Sequence, residues 1–274
     1  MSTLEHPGGP IGVFDSGVGG LTVLKALRNR MPNQDFIYLG DTARLPYGTK
    51  SLETVRRYAI QATKQLVQRQ VKLIVVACNT ASAVALSTIR DTFAPLRVFG
   101  VVDPGARAAC RISRNGRIAV IATDSTVRGG AYQKAILNYR SDARIVARAC
   151  PLLVTLAEEG WLYNPARDAI VHAYVHSWLS TDMHADTLLL GCTHFPLLTP
   201  AFEKLTAKGI SLVDSAETTA AEVSDALGIV AENKVKGKGS VVYLATDDRL
   251  RFAIVGRNFL GEAIAESSVE LVDL

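Results

Sequence analysis

Two stretches decide the fold: LIVVACNTAS at residues 73–82 and TLLLGCTHFP at residues 187–196. Each is a short apolar run that ends on a cysteine followed by small polar residues. The run at 73–77 is too continuously apolar for an edge strand. It suits a strand buried on both faces, as in a parallel sheet covered by helices.

The surrounding chain alternates in the same way. Strands are expected at 11–14 and 36–39, separated by a helix with Leu21, Leu24, Leu27 and Met31 on one stripe. After the loop GDTARLPYG (40–48), Ser51 is a plausible N-cap for a helix that turns Leu52, Val55, Ala59, Ala62 and Leu66 to the core. The pattern then repeats: 11–14 resembles 118–121, Cys78 has its counterpart in Cys192, and Val102-Asp103-Pro104 parallels Val213-Asp214-Ser215. Three matches in the same order suggest a duplicated α/β half. The remaining tail holds a helix at 217–227, the turn ENKVKGKGS (232–240), a strand at 241–245 and a helix at 248–260. It is too short for a third domain and should return to the first half. The expectation is therefore two pseudo-symmetric, doubly wound α/β domains with a cleft between them. Residues 1–103 and 214–274 form the discontinuous first domain and 104–213 the second, with crossings near Asp103 and Asp214.

The 274 residues are 48% hydrophobic and 20% charged, a globular composition. The apolar runs fall far short of the ~20 residues of a membrane-spanning helix, and MSTLEHPGGP (1–10) has no apolar signal region. A cytoplasmic protein is expected. The net charge of +4 is dispersed; KVKGKG (234–239) reads as an exposed turn, because neither aromatic interleaving nor a nucleic-acid motif accompanies it. A modest positive balance also suits an anionic substrate. Cys78, Cys110, Cys150 and Cys192 form no CxxC pair and have no histidines at zinc-ligand spacing, so four free thiols are expected rather than a metal site.

In open parallel sheets, ligands bind beyond the carboxyl ends of the strands. Those ends carry Asp15-Ser16, Asp41, Cys78-Asn79-Thr80, Thr123 and Cys192-Thr193-His194. If the halves face each other, Cys78 and Cys192 stand on opposite walls of one cleft. Inverting the α-carbon of an amino acid requires a proton to leave one face and arrive on the other. Two thiols do this when one starts as thiolate and the other as thiol. Both cysteines precede expected helix starts, whose N–H groups favour the anion, and Asp15 and His194 are candidates to relay protons. The plainer reading makes both cysteines small packing residues, but their polar neighbours and the repeat weigh against it.

Other motifs read more simply. DSGVGG (15–20) resembles a phosphate loop, but Thr22 stands where GxGxxG needs its third glycine, and GK[ST] is absent. Cys110 and Cys150 lack polar companions and read as core. His172 and His176 share a helix face without HExxH or a third ligand. Glu158 and Glu159 share a helix face, where such charges are more often solvated than functional.

Five segments in order, IGVFDSGVGGLTVLKAL (11–27), YLGDTARLPYGTKS (38–51), VVACNTASA (75–83), ACPLLVTLAEEG (149–160) and LLLGCTHFPLL (188–198), closely resemble the glutamate racemases of the cofactor-independent aspartate/glutamate racemase superfamily. The resemblance implies Cys78 and Cys192 as the proton-transfer thiols, with Cys78 serving D-glutamate and Cys192 L-glutamate. It implies substrate binding by Asp15-Ser16, Tyr47-Gly48, Asn79-Thr80 and Thr193-His194, with Tyr47 acting through its backbone and hydroxyl. Asp15, Asp41, His194 and Glu158 would assist catalysis. It further implies no cofactor and no metal, a homodimer, and a role supplying D-glutamate for peptidoglycan and hence for cell shape. Some members are said also to act on a topoisomerase, to which nothing in the sequence points. The alternatives are a racemase for aspartate or a related acidic amino acid and, in a different class, a non-catalytic binding module.

Overall fold

The structure, a computed structural model, describes residues 8–179, 184–206, 209–229 and 239–274. Most of KVKGKG and of the first ten residues lies outside the described residues.

Ten strands occur among these residues, in two sheets. β1 (Ile11–Asp15), β2 (Phe36–Gly40), β3 (Leu73–Val76) and β4 (Arg97–Gly100) lie in the first. β5 (Arg117–Ala122), β6 (Arg144–Ala149), β7 (Thr187–Gly191) and β8 (Ser211–Asp214) make up the second. The chain then returns to the first sheet with β9 (Val241–Ala245) and β10 (Val269–Leu271). Every pairing is parallel. The orders are β10-β9-β2-β1-β3-β4 and β6-β5-β7-β8. Apart from the two added edge strands, the first sheet thus repeats the order of the second, with β1 matching β5 and β3 matching β7.

Among the described residues eleven α-helices connect and cover the strands: α1 (Leu21–Arg30), α2 (Leu52–Gln68), α3 (Asn79–Thr92), α4 (Val102–Ile112), α5 (Asp124–Gly129), α6 (Ala131–Tyr139), α7 (Pro151–Glu158), α8 (Pro165–Leu179), α9 (Thr199–Thr206), α10 (Ser215–Ala226) and α11 (Arg249–Leu260). Strand alternation sends Val13, Tyr38 and Val75 into the core with α1, α10 and α11, and Phe14, Leu39 and Val76 into the core with α2 and α3. In the second sheet Ile121, Leu188 and Leu190 face α7, α8 and α9, while Ile118, Val120 and Leu189 face α4 and α6. Burial of each such Val, Leu or Phe contributes roughly 1.5–3 kcal/mol. α10 packs on both α1 and α4, at the point where the chain passes between the sheets.

Two expectations need correction. Leu52 does not face the core but is 43% exposed; it is the first residue of α2, a turn ahead of Val55, where the stripe begins. Ser51 does cap that helix, its hydroxyl accepting the Thr54 N–H at 3.2 Å. Cys78 is the N-cap of α3, but Cys192 does not directly precede a helix. A turn through Thr193 and His194 intervenes before the 3₁₀ segment Phe195–Leu198, so Cys192 lacks the helix-end field proposed for it.

Candidate active site

The two sheets present their carboxyl ends to one small cavity of about 40 Å³. One wall comes from the first sheet: Ser16 after β1, Tyr47 and Gly48 from the loop after β2, and Cys78, Asn79 and Thr80 at the start of α3. Facing it are Thr123 after β5, Glu158 at the end of α7, and Cys192, Thr193 and His194 after β7. Residues of both halves line this space closely.

The thiols occupy equivalent strand ends but have different neighbours. Cys78 Sγ lies 3.5 Å from Ser16 Oγ and accepts the Ala81 N–H at 3.4 Å. Burial pushes Cys78 up to about 12, helped by the Asp15 carboxylate, so it rests as a thiol. Asp15 is buried behind the cavity wall; its Oδ2 accepts the Gly17 N–H at 2.9 Å. Its pKa is raised by burial, against the pull of His194 and of the Gly20 and Gly17 N–H groups.

Cys192 Sγ lies 3.7 Å from His194 Nδ1, and His194 Nε2 lies 3.0 Å from Glu158 Oε1. Burial alone would push the imidazole down, but Cys192 and Glu158 together raise it to about 10. Burial likewise disfavours the Glu158 carboxylate, yet His194 holds it below its ordinary value. Glu158 therefore is not a solvated helix charge but a half-buried partner of His194.

Two residues sit differently from expectation. The Tyr47 hydroxyl points away from the cavity and donates to Asp41 Oδ2, so only the rest of Tyr47 is available to a ligand. Asp41 is fully buried, binds Arg44 and Thr246 as well, and reaches the cavity only through Tyr47.

Thr126 is a functional candidate that sequence reasoning missed, and Thr123, named among the strand ends, was given no role. Thr80 Oγ1 lies 2.9 Å from Thr123 Oγ1, and Thr126 Oγ1 is within 3.3 Å of both. The signal was available, since aligning Ile11 with Ile118 sets Thr123 opposite Ser16. Among the described residues no Lys or Arg lines the cavity, so an anion there would meet hydroxyls, amides and the N-terminus of α3. Oδ1 of Asn79 and Oδ1 of Asp15 are buried without a hydrogen-bond partner among the described residues. No group of three metal-ligating side chains occurs there either, and no helix is long and apolar enough to cross a membrane.

Replacing Glu158 by Gln tests the histidine arm. The raised His194 pKa means that its imidazolium persists until the pH nears about 10, while the stability the pair contributes is complete below about 6.5 and lost as pH rises through about 10. Glu158→Gln should lower the pH at which alkaline inactivation sets in and slow turnover about tenfold. An unchanged pH–rate profile would leave Glu158 no part in holding that proton.

The Asp/Glu/Hydantoin racemase family model matches residues 21–223. A curated glutamate racemase of Geobacter metallireducens is 46% identical over 259 residues, 93% of this chain and 94% of that protein. Among solved structures, a glutamate racemase isoform of Bacillus anthracis superposes with a TM-score of 0.89 at 35% identity, covering 98% of this chain and 99% of the other. A glutamate racemase of Francisella tularensis, solved in complex with D-glutamate, gives 0.87 at 32% identity and 98% of both chains.

Proposed function

The chain belongs to the Asp/Glu/Hydantoin racemase family, and from that premise we propose that it interconverts L- and D-glutamate with Cys78 and Cys192 as opposed acid and base. The observation that carries this is the placement of the thiols: equivalent strand ends of two like-ordered sheets, one shared cavity, and a separate proton partner for each.

In the direction from L-glutamate, Cys192 removes the α-proton after yielding its own to His194, which Glu158 holds ready at 3.0 Å. Cys78, resting as a thiol, delivers a proton to the opposite face. From D-glutamate the roles reverse, and Asp15 is the acidic group nearest to take part. The substrate carboxylates suit the hydroxyls of Ser16, Thr80, Thr123 and Thr193, and the ammonium suits the unpartnered Oδ1 of Asn79, with the Asp15 carboxyl behind the wall. Asp41 acts at a remove, by holding Tyr47. Acid and base are both side chains, so the scheme calls for no cofactor. Closure expels water, which strengthens these interactions. The same proposal includes domain boundaries near 103 and 214, a cytoplasmic homodimer, and D-glutamate supplied to peptidoglycan synthesis.

A chiral assay of the purified protein, dialysed against chelator, tests it. Glutamate from either enantiomer should reach the same racemic mixture, with glutamine and alanine turned over far more slowly, because a site built to bind a polar group rejects analogues lacking it. Faster turnover of aspartate would reassign the substrate, and activity lost to chelator and restored by metal would end the cofactor-free scheme.

A further inference from the structure

We infer that Tyr132 is a positioning residue, a rigid strut that sets the spacing between the two thiols. Its side chain touches the immediate chain neighbour of each. The hydroxyl accepts a hydrogen bond from Asn79 Nδ2 at 2.6 Å, and Asn79 directly follows Cys78. The ring lies against Gly191, which directly precedes Cys192: a Cβ there would stand 2.7 Å from Tyr132 Cε2. One residue of α6 thus spans from the Cys78 strand end to the Cys192 strand end.

The strut is itself confined. Tyr132 is 1% exposed. On its far edge, a Cβ at Gly105 of α4 would meet Cε1 at 3.5 Å and the Ser215 side chain at 3.2 Å. Ser215, the first residue of α10, is also within 3.5 Å of Asn79 Nδ2. Tyr132 does not line the cavity, so it acts through Asn79 and Gly191. An aromatic ring has a fixed length and few rotamers, which a flexible aliphatic chain of similar volume lacks. Burial keeps its phenol protonated well above the usual range, so the hydroxyl remains a neutral partner throughout the working pH range. Spacing matters because reacting atoms must lie about 3–3.5 Å apart, and an error of about 1 Å can cost roughly a hundredfold in rate.

The inference rests on the two-thiol reading, and the experiment separates the two. In heavy water, wild-type enzyme should place solvent deuterium in the product enantiomer while recovered substrate gains little. If wild type racemises nothing, it is the two-thiol reading that fails. Given an active wild type, Tyr132→Leu should lower kcat roughly a hundredfold and raise deuterium in recovered substrate relative to inversion, because removal from one face continues while delivery from the other is misplaced. A smaller folded fraction would scale both rates equally and leave that ratio unchanged. Tyr132→Phe keeps the ring and so should keep the wild-type ratio, while KM rises about fivefold as Asn79 loses its anchor. The strut is refuted if Tyr132→Leu keeps the wild-type ratio, or if Tyr132→Phe changes the ratio as much as Tyr132→Leu does. Wild-type KM in Tyr132→Phe would overturn the hydroxyl arm.

Discussion

Cys78→Ala and Cys192→Ala should each lose racemisation by roughly a thousandfold or more, while each keeps slow α-hydrogen exchange with one enantiomer only. A positioned acid or base is worth about 10²–10⁴-fold, and in the proposed scheme each variant removes the proton carrier of one face. The surviving thiols differ in their company. In Cys78→Ala the Cys192–His194–Glu158 arm is intact, so exchange should persist with L-glutamate. In Cys192→Ala the remaining group is Cys78, with Ser16 and Asp15 beside it, so exchange should persist with D-glutamate. Chiral chromatography and mass spectrometry of reactions in heavy water read both quantities. Near-normal inversion by either variant, or transfer of the original proton to product in wild type, would favour a single base.

Gly19→Ala should reduce kcat/KM by roughly a hundredfold while leaving the melting temperature close to wild type. A Cβ at Gly19 would stand 2.4 Å from His194 Cε1 and 2.5 Å from Thr193 Oγ1, across the gap between the two halves. Nearby, the Thr22 hydroxyl reaches the Thr193 carbonyl at 3.1 Å. An added methyl therefore wedges the cleft where it closes and displaces the imidazole that serves Cys192. Overpacking of this kind costs about 1–3 kcal/mol when the neighbours cannot yield, but an opened cleft relieves it, so the penalty should fall on the closed form. Saturation kinetics and a thermal melt separate the two effects. Wild-type kcat/KM would mean that the halves need not approach so closely. Gly19 and Gly20 of DSGVGG thus serve packing against Thr193, His194 and Asp15 rather than a phosphate.

Much of the fold is legible in the sequence because its central strands are buried on both faces. The runs at 73–77 and 188–190 announce themselves by composition alone. β10 does not, since Glu270 and Leu271 are exposed and only Val269 is buried; an edge strand of three residues leaves no periodic trace. The thiols, Asn79 and Thr80 follow from strand ends and the repeat. The Glu158 contact does not follow from local pattern, because a helix end meets His194 from 36 residues away; Asp41 is legible as a strand end, but its bond to the Tyr47 hydroxyl is not. The turn after Cys192 departs from the repeat, and symmetry reasoning misplaced a helix there.

The unequal company of the two thiols has a kinetic consequence. In the proposed two-thiol scheme each turnover moves the proton vacancy from one thiol to the other, so the enzyme that releases D-glutamate is not the enzyme that bound L-glutamate. Before it can bind L-glutamate again, a proton must be exchanged with solvent. Because burial holds Cys78 as a thiol, one of these free forms is the lower in energy. The overall equilibrium constant for enantiomers is unity, so kcat/KM must be equal in the two directions. The imbalance must therefore appear as kcat and KM values that differ between directions in the same proportion, making the catalyst handed in its pace while impartial in its endpoint.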